Sequence, residues 1–363
     1  MAYTTIDDGS EYFHTQLYTG NGSDDRNITN DANAGDFKPD WLWIKQRSAT
    51  RGHIIVDSSR GATLRLRPDS NNAEDTKADH IQAFLTNGFQ VGTNNTTNVS
   101  SGTYVAWQWK ANGGTTTTND ASATSVGTID SVYQANTTAG FSIVTYTGSG
   151  SEGTIAHGLG VTPKMIIWKR RTDDGNNWSV QGKQSGIDTD RVEINLNSTG
   201  TKSSVDSRIG RQSQWSSTVF EVNTYVDQNT SSKNYVAYCF AEKQGYSKFG
   251  SYTGNGDGNN TSADGTFVYT GFKPSWVMVK ASTVAQSWTI FDNKRDNYNV
   301  ADKFLYANTT DAETTGYDAT DFLSNGFKLR KNLNGTNDSD QTFIYMAFAE
   351  HPFVSSKGVP TTA

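Results

Sequence analysis

The stretch Tyr18-Thr19-Gly20-Asn21-Gly22 (YTGNG) occurs in related form at two later places in the chain. They are Tyr146-Thr147-Gly148-Ser149-Gly150 and Tyr252-Thr253-Gly254-Asn255-Gly256. Their separation of roughly 105 to 130 residues is too long for a solenoid repeat and suits a complete domain. The sequence therefore predicts one domain in three copies.

Two further motifs follow in every copy: a proline that begins an apolar run ending in lysine, and a closing aromatic strand. The runs are Pro39 to Lys45, Pro163 to Lys169 and Pro274 to Lys280, and the aromatic strands are Tyr104 to Lys110, Tyr235 to Glu242 and Phe343 to Glu350. A strand that is apolar on both faces must be covered on both. We expect a sandwich core on one face and a loop or a neighbouring chain on the other.

Short strands with regular turn signals predict an all-β protein of three tandem antiparallel β-sandwich domains, jelly-roll or lectin-like. The expected domains are residues 1–111, 139–243 and 244–363. The Thr/Ser/Gly-rich stretch 112–138 lacks a periodic apolar face and is interpreted as a linker or arm. Helix is scarce, and the best candidate is Ala78 to Leu85.

Composition excludes several classes of function. The 363 residues carry a formal net charge of −6, which gives no basic field for nucleic acid. The single cysteine, Cys239, rules out an intrachain disulfide. No apolar run approaches the roughly 20 residues of a membrane span, and the first residues do not resemble a signal peptide. We therefore expect synthesis in a cytoplasm and no membrane partner.

No reactive group recurs in all three copies, so we expect no enzymatic activity, catalytic residue, cofactor or bound metal. The histidines lack metal-ligand spacing, and Cys239 is interpreted as structural. Ser149 lacks a nucleophile elbow, and its sister copies carry Asn. A surface calcium site near Asp257, Asn259 and Asp264 stays open, although the spacing fails the EF-hand pattern. The histidines are His14, His53, His80, His157 and His351.

Two sets of residues outside these classes are candidates for contacts. Trp178, Trp215 and Trp288 fall outside the repeated motifs; they could stack on sugars, but we favour a role in closing the ends of their own sandwiches. The lysines that end the apolar runs, Lys45, Lys169 and Lys280, are interpreted as solvated strand ends. Neither set identifies a ligand, so the ligand-binding residues are unknown.

Several of these phrases, taken together, resemble a family of tandem-repeat structural proteins from marine tailed bacteriophages, described as tail-fibre-like or lectin-like. The resemblance covers almost the whole chain and is weakest in residues 112–138 and the middle of copy two. It implies a virion structural protein and supplies no catalytic residues. The stretches that carry it are Ser10 to Gly22, Lys38 to Lys45, Asp57 to Gly61, Tyr104 to Lys110, Ala347 to Phe353 and Gly358 to Ala363.

We therefore expect a non-enzymatic bacteriophage virion protein, made in the host bacterial cytoplasm and exposed on the extracellular particle. A tail or tail-fibre component, acting in host-surface adhesion or tail assembly, is the first hypothesis. The alternatives are a capsid decoration protein and a carbohydrate-active depolymerase with its site in copy two. The expected partners are other virion proteins and a second and third copy of this chain in a homo-oligomer, with a host surface glycan as a candidate ligand.

Overall fold

The computed structural model describes residues 3–31, 37–204, 207–257, 264–331 and 335–361. Strands dominate these residues and helices are limited to single short turns, so the all-β prediction is confirmed. None of the helices in these ranges is long and apolar enough to cross a membrane.

The strands follow the three sequence copies. Copy one contains the 3₁₀ turn Gly9–Glu11, β1 (Phe13–Thr19), β2 (Arg26–Thr29), β3 (Trp41–Gln46), β4 (Ile54–Asp57), β5 (Gly61–Leu66), β6 (Asp75–Thr76), β7 (Ile81–Leu85), β8 (Gly88–Val91), helix α1 (Asn95–Asn98) and β9 (Thr103–Trp109).

The second copy and the stretch before it contain β10 (Thr117–Asn119), helix α2 (Ala121–Thr124), β11 (Ser131–Asn136), β12 (Phe141–Thr147), β13 (Gly153–Ala156), β14 (Met165–Arg170), β15 (Trp178–Gly182), β16 (Val192–Asn195), β17 (Ser203–Ser204), the 3₁₀ turn Gln212–Gln214, β18 (Val219–Val222), helix α3 (Val226–Asn229) and β19 (Asn234–Phe240). Copy three contains β20 (Ser247–Thr253), β21 (Phe267–Tyr269), β22 (Phe272–Ala281), β23 (Thr289–Asp292), β24 (Leu305–Tyr306), β25 (Thr320–Leu323), β26 (Gly326–Leu329) and β27 (Thr342–Pro352).

Each copy forms one large and one small antiparallel sheet. The large sheets have the strand orders β1-β9-β3-β4-β5-β6, β10-β11-β12-β19-β14-β15-β16-β17 and β20-β27-β22-β23-β24. The small sheets are β2-β8-β7, β13-β18 and β21-β26-β25. In all three copies the aromatic closing strand pairs with both the YTGxG strand and the apolar run, which places the three repeated motifs side by side.

One face of each large sheet packs on the small sheet of the same copy. In copy one, Leu42 and Ile44 of β3 share a buried cluster with Ile28 of β2 and Phe89 of β8. Copies two and three have equivalent clusters. Each copy therefore has an apolar cluster between its large and its small sheet.

The other faces of the three large sheets pack against one another in a single central core. Trp41 lies 4.7 Å from Tyr238 of copy two, measured between ring centroids, and Trp109 lies 5.5 Å from Trp276 of copy three. Phe348 of copy three closes the circuit at 6.1 Å from Phe240 of copy two. The second cover of the apolar strands is therefore the rest of the same chain, not a loop or a neighbouring chain.

Two local predictions are wrong. The stretch 112–138 is not an open linker or arm: β10 and β11 add to the large sheet of copy two, with Val132 opposite Thr145. Its polar Thr/Ser composition hid an edge position, where only one strand face needs apolar residues. The expected helix at Ala78 to Leu85 is instead a turn at residues 78–80 followed by strand β7, which pairs with β8 across the Thr86-Asn87 turn. The division of the chain into domains stays a prediction.

Candidate functional site

The YTGxG motif binds the segment around helix α1, which comes just before the closing strand. A Cβ at Gly20 would lie 2.1 Å from the carbonyl oxygen of Val99, so only glycine fits there. The hydroxyl of Tyr18 donates to the carbonyl oxygen of Thr97 at 2.7 Å, and the side-chain oxygen of Asn98 accepts from the backbone N–H of Asn21 at 3.0 Å. The motif therefore holds the α1 segment against the end of β1.

Sequence reasoning missed the asparagine that binds the YTGxG motif, although an asparagine recurs at this place in all three copies. Asn229 and Asn337 accept from the backbone N–H groups of Ser149 and Asn255 at 2.8 and 3.2 Å, as Asn98 does in copy one. The available sequence signal was an asparagine a few residues before each closing strand. It lies far from the glycines in sequence and becomes visible only when the copies are aligned.

The lysines ending the apolar runs join the copies in a circle, and the prediction that they are solvated is wrong. All three are fully buried. Lys45 donates to the carbonyl oxygen of Thr310 in copy three at 3.2 Å, Lys169 to that of Asn71 in copy one at 3.2 Å, and Lys280 to that of Thr199 in copy two at 3.1 Å. Desolvation lowers the pKa of Lys45 and Lys169 to about 8 and that of Lys280 to about 7.

Ring nitrogens of two tryptophans and one histidine, on the neighbouring strand, link the copies in the same order as the lysines. The indole N–H of Trp178 donates to the carbonyl oxygen of Arg67 in copy one at 2.8 Å, and that of Trp288 to the carbonyl oxygen of Asn195 in copy two at 2.9 Å. His53 has the equivalent position in copy one, with Nε2 2.9 Å from the carbonyl oxygen of Tyr306 in copy three. Burial lowers the pKa of His53, so the ring is neutral and can donate from Nε2.

These contacts answer the question about the three tryptophans. All three are buried, and none is available to stack on a sugar, but the interpretation that each closes the end of its own sandwich is wrong for Trp178 and Trp288. Trp215 lies in the core of its own copy. Trp178 and Trp288, however, belong to the central core and bind the neighbouring copy.

Two of the three inter-copy contacts also carry buried ion pairs. Arg60 of copy one binds Asp57 and Glu74, and Arg171 of copy two reaches the same Glu74 at 2.8 Å. The contact of copy one with copy three is built the same way: Arg295 binds Asp292 and Glu313, and Arg47 binds Glu313 at 2.8 Å. A buried charge is tolerated only when paired, so these groups are structural.

The third contact has lost both charged partners together. Glu74 and Glu313 each donate their backbone N–H to a carbonyl oxygen of the neighbouring copy at 2.9 Å, and Lys202 makes the same bond to Ser282. Lys202 thus takes the place of the glutamates, and Ser282 the place of Arg47 and Arg171. The backbone bond is conserved around the circle while the ion pair is absent from this contact.

Open space is found where copies one and three meet. A cavity of about 340 Å³ is lined by residues of both copies, among them His14, Thr15, Asn293, Lys294 and His351. A second cavity of about 440 Å³ adjoins it and shares Asn293 and Lys294. We call the two together the junction cleft. Tyr298 stands at its outer part with 86% of its surface exposed.

Several charged side chains at the junction cleft are paired. Lys294 Nζ lies 3.6 Å from Oδ2 of Asp31, and His14 Nε2 lies 3.7 Å from Oδ1 of the same residue. Desolvation lowers the pKa of His14, which favours its neutral form at neutral pH. Asp296 accepts from the backbone N–H groups of Asp302 and Lys303 and pairs with the Lys303 side chain. Asp8, Lys273 and His351 also line the cleft, which therefore presents charged as well as polar groups.

The remaining candidate residues do not come together. Cys239 is buried, and burial raises the pKa of its thiol. His157 is a buried turn residue whose Nδ1 accepts from the backbone N–H of Leu159 at 3.2 Å. No group of three potential metal ligands occurs within the described ranges. Asn259, of the open calcium prediction, lies outside them, and Asp264 pairs with Lys328 at 2.6 Å.

Copy two contains a pair of buried acids, Glu193 and Asp227. Desolvation raises the pKa of Glu193 and raises that of Asp227 to about 6. Glu193 accepts from the hydroxyls of Ser179 and Tyr225, and Asp227 accepts from the backbone N–H of Asn177 at 2.9 Å. Both are almost fully buried and held by internal donors. Glycoside hydrolysis requires two carboxyl groups that flank a bound sugar, which this pair does not offer.

A comparison with known proteins gives one family. The sequence model of the family described as "Domain of unknown function (DUF7483)" matches residues 8–352. The chain belongs to the DUF7483 family. No curated protein and no solved structure matches it. The DUF7483 match spans all three sequence copies, so the family is defined by the complete three-copy unit rather than by one copy.

Proposed function

We propose that this DUF7483 protein is a non-enzymatic structural component of a tailed-bacteriophage particle, exposed on the tail or its fibres, where it contributes to host-surface adhesion or tail assembly. The observation that carries the proposal is the circle of inter-copy contacts. Buried polar groups, including the three lysines and the Arg171–Glu74 and Arg47–Glu313 ion pairs, bind the copies to one another. A protein whose buried polar groups hold its three copies together suits a structural or binding role.

The sequence supports the location. Its resemblance to tandem-repeat proteins of marine tailed phages covers the same region that forms the three large sheets. We propose that each copy is an antiparallel sandwich domain of jelly-roll or lectin-like type. A particle protein made in bacterial cytoplasm and later exposed to the medium would need to be stable without disulfides, and Cys239 is the single cysteine in the chain.

Other virion proteins and further copies of this chain remain the proposed partners. The apolar strands no longer require a homo-oligomer, because the central core covers them within one chain. Exposed large apolar side chains are concentrated in copy three, at Phe267, Tyr269, Tyr298 and Tyr317. This asymmetry favours attachment or ligand binding through copy three.

A capsid decoration protein is the second candidate. Three similar copies around a central core form a pseudo-threefold body, and such a body can sit on a threefold or quasi-threefold position of a shell. The same symmetry would match the end of a trimeric fibre, so location must be measured.

Antibody labelling of purified intact particles tests the proposal. Label on the tail or its appendages is the expected result, and label on capsid faces would favour the decoration role. Particles that carry no label and whose purified protein contains no peptide of this chain by mass spectrometry would contradict the virion proposal and favour the depolymerase alternative.

A further inference from the structure

We propose that the outer edge of strand β21 in copy three binds an extended segment of another particle protein as an added β-strand. This inference rests on the proposed structural role and names the kind of partner for it. β21 is the terminal strand of its small sheet, as β2 is in copy one and β13 in copy two. In copy two, however, another part of the chain covers this edge.

The edge strands of the three small sheets can be aligned residue by residue. In each copy one phenylalanine makes an edge-to-face contact with the tyrosine of the YTGxG motif, with ring centroids 5.9 to 6.3 Å apart. Opposite these rings, on the edge strands, lie Ile28, Ile155 and Val268. The residues just before them, which therefore correspond, are Asn27, Thr154 and Phe267.

Residues 127–131 cover the edge in copy two. The backbone N–H groups of Thr128 and Ile129 donate to the carbonyl oxygen of Thr154 at 2.8 and 3.1 Å, and the N–H of Thr154 donates to Oγ1 of Thr128 at 2.9 Å. Ile129 also forms a parallel bridge with Ile155 and joins the buried cluster of copy two. An extended segment therefore fits against this edge of the fold.

The same edge is open in copy three. Among the described residues, β21 pairs with β26 alone. The N–H of Leu329 in β26 donates to the carbonyl oxygen of Thr266, so by alternation the backbone groups of Phe267 and Tyr269 point away from β26. Outward N–H and C=O groups at a sheet edge are what an added strand binds.

Two aromatic side chains make this edge apolar. Phe267 and Tyr269 are 44% and 55% exposed. Copy one has Asn27 and Thr29 at the same register positions, and polar side chains are a common means of keeping an edge strand unpaired. Adjacent exposed aromatic rings indicate instead that the partner brings apolar side chains to this edge.

Space for one partner side chain lies at the end of β21. In copy two, Tyr133 packs on Gly158, where an added Cβ would lie 2.2 Å from the tyrosine ring. The equivalent residue of copy three, Gly271, lines a cavity of about 250 Å³ together with Tyr269. Tyr3 donates to the carbonyl oxygen of Gly271 at 2.7 Å and forms another part of the cavity wall. A docked strand therefore has a place for a side chain where copy two has Tyr133.

The chain's own segments of this kind are already bound. Residues 127–131 of a second copy would be held by its own copy two. The N-terminal residues Tyr3 and Thr4 are held by copy three, through the carbonyl oxygens of Gly271 and Gln244 at 2.7 Å each. We therefore assign the added strand to a different particle protein.

The test uses the full chain and a fluorescein-labelled peptide of residues 125–133, the stretch that covers the equivalent edge in copy two. We expect saturable binding by fluorescence anisotropy. Phe267→Pro should weaken the Kd at least tenfold, because proline removes the outward N–H and no hydrogen bond to β26. Phe267→Asn combined with Tyr269→Thr, which gives copy three the residues of copy one, should weaken it by a similar factor.

Asn27→Pro is the matched control, because it makes the same change at the edge of copy one. Its Kd should stay within about twofold of that of the unaltered protein. All these variants should fold, since the altered side chains are exposed, and thermal unfolding checks this. Should Phe267→Pro fail to fold, the double variant decides the outcome.

Cross-linking of purified particles with an amine-reactive reagent identifies the partner by mass spectrometry. Lys328 lies opposite Phe267 in the sheet and should cross-link to a different particle protein. Three results would overturn the inference: a peptide that does not bind, binding that the Phe267 variants leave unchanged, or Lys328 cross-linked to a second copy alone or to no other protein.

These outcomes are separable from those of the proposed function. A chain that is found on the particle but does not bind the peptide keeps its location and loses the strand site. A chain that binds the peptide through β21 but is absent from the particle keeps an edge that accepts a strand, and loses both its location and its particle partner.

Discussion

The hydroxyl of Tyr238 in copy two donates to Oδ2 of Asp57 in copy one across a distance of 2.7 Å. The same relationship joins copies one and three, where the indole N–H of Trp107 donates to Oδ2 of Asp292 at 3.0 Å. Strand register makes Tyr238 equivalent to Trp107, and Asp57 equivalent to Asp292. Donor and acceptor are thus retained as a pair across two of the three contacts.

At the third contact both members of the pair are replaced. Met346 has the register position of the donor, opposite Met278, and Gly182 has the position of the acceptor, opposite Met165. Neither side chain can form the hydrogen bond. Losing donor and acceptor together avoids a buried unpaired group, which costs more than the hydrogen bond itself contributes.

Variants of the Tyr238–Asp57 pair should separate the contribution of the hydrogen bond from the cost of leaving a buried group unpaired. Tyr238→Phe should lower the free energy of unfolding by about 1.5–3 kcal/mol, the contribution of a hydrogen bond to a charged group. Asp57→Ala should cost more, about 3–5 kcal/mol, because it removes the Arg60 ion-pair partner in a buried site. Urea denaturation of both variants and the double variant measures the coupling. Met346→Leu is the control and should cost less than about 1.5 kcal/mol; additive effects of the first two variants would contradict the pairing.

The tryptophans that begin two of the apolar runs should be essential to the central core. Trp41 and Trp276 are at most 1% exposed and contact rings from other copies. Trp41→Ala and Trp276→Ala should each lower the free energy of unfolding by about 3–5 kcal/mol, measured by chemical denaturation. Tyr298→Ala, an exposed aromatic control, should have little effect. Near-neutral results for both tryptophans would mean that the strand assignment is wrong.

Lys280 should make stability depend on pH in the alkaline range. The unfolded chain keeps this proton up to a pKa near 10.5, whereas the folded chain releases it near 7. Between these values the unfolded state binds more protons, so this residue makes the free energy of unfolding rise with pH, by at most about 1.4 kcal/mol per pH unit.

The comparison that isolates this effect is the unaltered protein against Lys280→Met from pH 6 to 10. The variant should show a smaller rise, with the difference clearest between about pH 7 and 8, because Lys45 and Lys169, whose pKa values are lowered to about 8, still contribute at higher pH. Lys357→Met, which removes an exposed lysine, should keep the full rise. Removing the Lys280 side chain also leaves two carbonyl oxygens without their donor, but this cost does not vary with pH. Parallel pH profiles for the unaltered protein and Lys280→Met would contradict the buried position.

The segment that contains β11 should resist proteolysis in the native protein. Gln134 is fully buried in β11, and its side-chain Nε2 donates to the hydroxyls of Ser58 and Ser59 of copy one at 2.9 Å each. Its side-chain Oε1 accepts from the backbone N–H groups of Asn112 and Gly114. Cleavage by subtilisin within residues 131–136 should therefore be no faster than global unfolding. Early cleavage there, with the rest of the chain intact, would restore the interpretation as a linker.

The sequence predicted what lies within a copy far better than what lies between copies. Alternation and turn signals identified the strands, and the prolines located the apolar run in each copy. The prediction that the lysines are solvated was wrong because a lysine at a strand end has the same local sequence whether water or another copy surrounds it. Only the tertiary arrangement places the carbonyl oxygen of Thr310 beside Lys45, 265 residues away.

The junction cleft was also beyond sequence reasoning. Thr15 lies in a repeated strand and Tyr298 lies in the connection between β23 and β24, and no sequence motif connects them. The length of this connection gave no signal either, because the connection between β15 and β16 in copy two is of similar length.

The proposed structural role depends on the three copies closing into one cooperative body, and calorimetry tests this most directly. Because the central core and the circle of lysine and aromatic hydrogen bonds join every copy to both others, we predict one thermal transition in which the calorimetric and van't Hoff enthalpies agree. Three separate transitions, or one copy that melts while the other two stay folded, would contradict the closed body.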